Sequence, residues 1–333
     1  MATLAASVLT LMDWAKRLDP DGKVPTIVEL LAQTNEILTD MMWGEGNLPT
    51  GHRTTVRTGL PTVAWRLINQ GIGSSKSQTA QITEATGMLE AWSEVDKVLA
   101  ELNGNVNAFR LSEAQAFIEA MNQEMASTLF YGNSGTAPEE FTGLATRYSS
   151  LSANNAQNIV SGGGSGSDNS SIWLVVWGAN TVFGIFPKGS KAGIMHEDLG
   201  LVTVETTAGI AGNRMRAYQD HWQWMSGIAL RDWRYVVRIP NIDISALVAK
   251  ASAADLTELM IKAINRIPSL TMGRPVFYVN RTVRQQLEIQ RRDDVISGGG
   301  LTFENVDGRR VASFNGIPIR VCDALLETEA TVS

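Results

Sequence analysis

The apolar positions of this chain change period along its length. In "TIVELLAQTNEILTDMMW" (26–43), Ile27, Leu30, Leu31, Thr34, Leu38 and Met41 recur at helical spacing. Pro25 stands near the start of this run and Gly44 just past its end, which predicts an amphipathic helix after a mostly unstructured arm. "LSEAQAFIEAMNQEMASTLFY" (111–131) reads as the strongest helix. Ser112 is its candidate N-cap, Phe117, Met121, Met125 (or Glu124), Thr128 and Leu129 form its stripe, and Gly132 is its stop. From 171 the texture turns to strand. "SIWLVVWG" (171–178) is a continuous apolar run, "TVFGIFPKGSKAG" a strand or turn, and "LVTVETT" (201–207) alternates. Residues 214–242 alternate arginines with aromatic and aliphatic residues. A helix over 243–267 ends at Pro268. A strand (274–280), a helix (281–294) and a strand pair around Asn315-Gly316 (311–325) complete the chain.

One stretch fits no core. The segment 44–59, "GEGNLPTGHRTTVRTG", is turn-rich and basic, and two arms over 60–69 and 78–89 flank "QGIGSSKS". Ten extended residues span about 33 Å. Only Val63, Trp65 and Leu67 make an apolar face, and the returning arm is rich in Thr, Gln and Ala. An isolated two-stranded hairpin is marginal in water, so this arm needs support from its own domain or from another subunit. "SGGGSGSDNSS" (161–171) reads as a flexible connection between structural blocks.

Composition narrows the function classes. The chain has 333 residues, 44% hydrophobic, enough for one large or two medium domains. Its net charge of −6 disfavours tight nucleic-acid binding, which needs a basic excess. The lone Cys322 makes no intrachain disulfide and suits a reducing compartment. With His52, His196 and His221 as the only histidines, no spacing resembles a metal site, and no cofactor motif is present. The N-terminal apolar run lacks a basic region before it and is broken by Asp13, Lys16 and Arg17, so it reads as neither signal peptide nor membrane anchor.

Catalytic constellations fail on chemistry. "GNSGT" (132–136) places Ser134 in a turn after a helix, without the strand–turn–helix context of a nucleophile elbow. "GGGSGSDNS" lacks the Gly-Lys-Ser/Thr ending of a phosphate loop. Cys322, between Val321 and Asp323 on an expected strand, reads as an inert thiol. Asp220 and His221 are strand neighbours and point to opposite faces. The best alternative function is single-strand nucleic-acid binding along 214–238. There Arg214, Arg216, Arg231, Arg234 and Arg238 interleave with Tyr218, Trp222, Trp224, Trp233 and Tyr235. The competing view puts the rings in a core and the arginines against acidic neighbours.

Five long stretches carry a resemblance: 47–97, 109–133 with "PEEFTGLATRY" (138–148), 170–193, "RDWRYVVRIPNIDIS" (231–245), and 273–325. Along nearly the whole chain the sequence resembles tailed-bacteriophage major capsid proteins of the Hong Kong 97 fold. The resemblance implies an α+β architecture and a non-enzymatic, self-assembling shell subunit. Its parts would be an N-terminal arm (1–43), an E-loop (44–95), a P-domain (96–245, spine helix 109–131) and an A-domain (246–333). The strand order looks permuted, with the A-domain as one contiguous C-terminal unit. The E-loop would lie across a neighbour in a hexamer or pentamer, with Trp65, Ile68 and Ile82 as interface anchors. Gly71, Gly73, Ser74, Ser75 and Lys76 would form a bending tip. In some relatives a loop lysine crosslinks to a neighbour; Lys76 reads by default as solvated. Implied partners are copies of itself, a separate scaffolding protein, a portal and a decoration protein. The implied setting is the virion, assembled in a bacterial cytoplasm, with double-stranded DNA enclosed without sequence recognition and no membrane.

Overall fold

The computed structural model describes residues 32–102, 105–205, 213–250, 253–293, 301–306 and 309–333. The expected arm up to residue 31, with the first six residues of the 26–43 helix, lies outside the described residues. The rest of that helix is a single turn, α1 (Ile37–Asp40), and it leads into strand β1 (Trp43–Glu45). The helix expected to reach residue 43 therefore stops three residues early. Met41 leaves it in extended backbone, and Gly44 and Glu45 pair with Ile185 and Phe186 of β6 (Val182–Phe186).

The centre of the molecule is β5 (Asn169–Trp177), nine residues buried on both faces. Alternate side chains serve two separate cores. Trp173, Val175 and Trp177 face a cluster containing Met121, Met125, Leu129 and Phe130, from the long helix α3 (Val106–Tyr131), which follows the short α2 (Lys97–Glu101). Ile172, Leu174 and Val176 face Leu256, Leu259, Met260, Val283 and Leu287. These belong to α6 (Leu256–Arg266) and α7 (Arg281–Asp293); α5 (Ile244–Ala249) precedes them, and α4 (Leu144–Arg147) lies earlier in the chain. A sheet covered on both sides explains the unbroken apolar run of the sequence.

Among the described residues the large sheet has eleven strands. On one side β5 pairs antiparallel with β10 (Arg274–Val279), which pairs parallel with β13 (Ile317–Val321). That side ends in β12 (Arg309–Phe314) and β11 (Leu301–Val306). β9 (Val236–Asp243) also pairs antiparallel with β5. Through β6 the sheet continues to the long β8 (Arg214–Leu230), which β4 (Gly87–Asp96) and β7 (Met195–Glu205) flank. The tight pair around Asn315-Gly316 is as expected. Both residues take positive φ, 50° and 77°, the requirement of a two-residue hairpin turn.

Besides the shortened 26–43 helix, the single helix expected over 243–267 is two, α5 and α6. The first ends at Lys250 in left-handed backbone. Two further expectations are corrected by the fold. The spine helix begins at Val106, capped by Asn105, whose Oδ1 accepts the Ala108 N–H at 3.1 Å. Ser112 is inside it, its hydroxyl donating to Phe109 O at 2.8 Å. The glycine-rich 161–171 stretch is fastened down: Val160, Gly162 and Gly164 donate to Arg238, Pro240 and Asn241 carbonyls. Asn169, Ser170 and Ser171 are buried in β5. Gly164 is required there because a Cβ would sit 2.7 Å from the Asn241 carbonyl. The segment is a strap along β9, not a linker.

The C-terminal segment locks these parts together. Glu329, buried, accepts from Arg238 Nη2 at 2.8 Å and from the hydroxyls of Ser171 and Tyr131. A buried charge pair is tolerable only with its remaining lone pairs satisfied in this way.

Candidate intersubunit surface

Strands β2 (Gly51–Gly59) and β3 (Gln78–Ala85) form a two-stranded sheet of their own. The outgoing arm is thus 51–59 rather than the expected 60–69. Thr54, Thr55, Val56 and Thr58 supply β-branched residues, and Pro61, with no N–H to donate, comes directly where the ladder ends. Residues 60–77 form a long exposed loop instead of strand. The limbs stay side by side, since Ser75 Oγ donates to Thr62 O at 2.9 Å.

The loop turns at Leu67–Gln70, where Gln70 N donates to Leu67 O and Asn69 takes φ 69°. The expected tip, Gly71 to Lys76, therefore lies on the returning limb. An added Cβ at Gly71 or Gly73 meets nothing within 4 Å, so neither glycine is needed for space in the subunit. The expected anchors are uncovered: Trp65 is fully exposed, Ile68 is 87% exposed and Ile82 40%. Leu60, Val63, Leu67 and Ile72 join them. Sequence reasoning passed over Leu60 and Ile72 as anchors, although large apolar residues in a Pro/Gly-bounded loop were the signal.

Only the root of the hairpin is fixed. Arg147 from α4 grips Glu84 with two parallel bonds of 2.6 Å each and donates to Thr142 O. His52, buried, lies edge-on to Phe183 at 5.5 Å and accepts from Arg231 Nη2 on Nε2 at 3.1 Å. The neutral ring then carries its proton on Nδ1. Burial and the Arg231 charge depress the His52 pKa, and Glu84 partly opposes them. These clamps join residues 63 and 179 positions apart, beyond the reach of any local pattern.

Elsewhere the chemistry is structural. The Ser134 hydroxyl bonds Thr142 Oγ1 at 2.7 Å. The Cys322 thiol is buried, donates to Asn35 Oδ1 at 3.2 Å, and is pushed up to about 12 by that burial, which removes the thiolate a nucleophile needs. Asp220 engages Arg110 and His196 at 2.8 and 2.9 Å, while His221 stacks on Trp92. Most of the Arg/aromatic run is committed within the subunit. Trp222, Trp224 and Tyr235 are buried, Arg238 is committed to Glu329, and Arg234 pairs with Asp232. With three of the five rings buried, Tyr218 and Trp233 half-buried, and only Arg214, Arg216 and Arg234 of the five arginines exposed, the run offers poor support for the nucleic-acid alternative. Among the described residues no helix is long and apolar enough to cross a membrane.

The comparisons agree with this picture. Residues 19–333 match the family described as major capsid protein GP7. A chain from the structure of bacteriophage epsilon15 is similar at 34% identity and a TM-score of 0.76, covering 100% of this chain and 99% of that one. The capsid of the native GTA particle has 12% identity and a TM-score of 0.43, covering 68% of this chain and 95% of that one. The SrpI encapsulin complex from Synechococcus elongatus PCC 7942 has 12% identity and a TM-score of 0.43, covering 70% and 96%. Curated proteins give no significant match. A two-sided α+β body with an uncovered apolar finger, matched over almost its whole length, identifies the chain as a member of the GP7 family of phage major capsid proteins, with the Hong Kong 97 fold.

Proposed function

We propose that this subunit forms hexamers and pentamers that close into an icosahedral phage head around double-stranded DNA. In this reading residues 44–95 are the E-loop lying across a neighbour, and 1–43 are the N-terminal arm. Residues 96–245 are the P-domain and 246–333 a contiguous A-domain. Trp65, Ile68 and Ile82 are interface anchors, and the subunit has no catalytic role. Assembly takes place in the bacterial cytoplasm with scaffolding, portal and decoration proteins as further partners. The acidic chain encloses nucleic acid without gripping it by sequence.

The observation that carries this reading is the exposed apolar cluster at 60–72, held away from the body on a hairpin that shares no strand with the main sheet. Monomeric proteins rarely expose such patches without a partner. Many modest contacts of this kind are multiplied when a shell closes. The test replaces residues 60–77 by an Asn-Gly turn joining Gly59 to Gln78. We expect a folded subunit that forms no closed particles by negative-stain microscopy. Normal particles from this variant would refute the reading.

A further inference from the structure

Strands β4 and β8 run antiparallel with Glu90, Trp92 and Glu94 directly opposite Gln223, His221 and Gln219. Alternate residues of a strand share a face, so these six lie together. Their face is the one away from Trp222 and Trp224, which pack into the core with α3. Each member of the β4 row is held by its partner. Gln223 Nε2 donates to Glu90 Oε1 at 2.5 Å, and Gln219 Nε2 donates to Glu94 Oε1 at 2.9 Å. The His221 ring stacks on Trp92 with centroids 4.1 Å apart. Trp92 is nonetheless 49% exposed, and both carboxylates are exposed. On the other side of β8, Glu197 of β7, also exposed, stands opposite His221.

The row is short of positive charge. Among the described residues no lysine or arginine lies within ion-pair distance of Glu90, Glu94 or Glu197, and His221 Nε2, 3.7 Å from Glu90, makes no hydrogen bond. The two β4 carboxylates stand about 14 Å apart along the strand with the indole midway, too far for one metal ion to bridge. His221 covers one face of the ring. The exposed part can take a guanidinium by cation–π attraction, and the carboxylate on either side can accept its fork of N–H donors.

We infer that this row is a docking surface for an extended, arginine-rich segment of a protein other than this chain. Alternate side chains of such a segment repeat about every 7 Å, the spacing of Glu90, Trp92 and Glu94. The sign of the charge selects the occupant. Nucleic acid is repelled, and a second copy carries the same net charge of −6, which leaves a basic protein. The glutamines and His221 hold the row before the partner arrives, so little side-chain freedom is lost on docking. The inference rests on the shell reading above and states the contact chemistry of one accessory partner.

The test uses the full chain and a labelled peptide, Ser-Arg-Ser-Arg-Ser-Arg-Ser, with citrulline in place of arginine in its neutral counterpart. Fluorescence anisotropy should show binding of the arginine peptide and none of the citrulline one. Glu90→Gln with Glu94→Gln should weaken binding on the order of tenfold, and Trp92→Leu about fivefold. A control chain, Glu124→Gln with Glu139→Gln, loses the same charge at exposed positions elsewhere and should bind like the unaltered one. Amide exchange across β4 and β8 checks that the sheet is kept; if Trp92→Leu loosens it, the double glutamine variant alone decides. Equal binding of the two peptides, or an equal loss in the control chain, would overturn the inference. Particle formation, scored separately by microscopy, tells the two readings apart. Row variants that assemble normally agree with an accessory partner. A row variant that folds but forms no particles would make this face a contact between copies, overturning the inference and leaving the shell reading intact. Peptide binding by an unaltered chain that forms no particles would keep the docking surface and sink the shell reading.

Discussion

Trp173 and Trp65 are the same residue in opposite circumstances. Trp173 is wholly buried in β5, against Phe130 and Tyr148 and beneath the Arg238 guanidinium; Trp65 is wholly exposed on the finger. In the body, each apolar position along β5 has a neighbour on one of two cores. In the finger, the large apolar side chains stand largely in solvent, Trp65 wholly so. On the function proposed above, hydrophobicity in this sequence serves two ends: folding the subunit and joining subunits. Only the first is completed within one polypeptide.

The sharpest way to break the comparison is to make the same change at the first site. Trp173→Ala should destabilise the subunit by about 3–5 kcal/mol, the range for truncating a large aromatic in a packed core. Chemical denaturation of the unassembled protein measures it. A loss under about 1 kcal/mol would mean that β5 is not the packed centre of the fold.

The hairpin root should give an intermediate effect. Glu84→Gln leaves Arg147 with a neutral partner in place of a two-pronged charged one. We expect about 1–3 kcal/mol of local cost, seen as faster amide exchange across 51–59 and 78–85 with little change in the sheet. Equal acceleration in β5 would show that the finger and body unfold as one unit.

These regions were unequally legible in the sequence. The β5 run, the long helix with its Gly132 stop and the Asn315-Gly316 turn were readable, because each depends on neighbours within a few positions. The start of the spine helix was not: Asn105 sits in a polar Asn/Gly stretch, and Ser112 offered the same capping chemistry nearer the apolar stripe. The alternation of Val63, Trp65 and Leu67 suggested a strand because a pattern cannot say whose core it serves. Of the site, Trp65, Ile68 and Ile82 were visible as large apolar residues in a polar setting. The clamps at the hairpin root, through Arg147 and Arg231, were not, being products of tertiary folding.

A smaller effect separates root from body by pH. His52 has its pKa depressed below 6.5 by burial and by Arg231. In the folded state it binds a proton more weakly than in the unfolded chain. As pH falls through 6.5 the unfolded chain takes up protons first, so stability present above that value declines on acidification. His52→Gln keeps an acceptor for Arg231 and cannot titrate. Comparing denaturation midpoints at about pH 7.5 and about pH 5.5, the unaltered chain should lose more stability than the variant. Equal losses would place the acid sensitivity elsewhere.

The smallest effect is the most informative. Trp65→Ala removes a side chain with no contact in its own subunit, so the unassembled protein should keep its stability within about 0.5 kcal/mol. The same substitution should weaken assembly strongly, because aromatic anchors dominate interface energy. Stability and assembly then come apart at one residue, whereas Trp173→Ala lowers both together. A Trp65→Ala subunit that was itself destabilised by about 2 kcal/mol or more, on the scale of about 3–5 kcal/mol for a core aromatic, would mean that the finger packs on its own body in solution. The exposed cluster would then be part of the fold rather than a surface awaiting a neighbour.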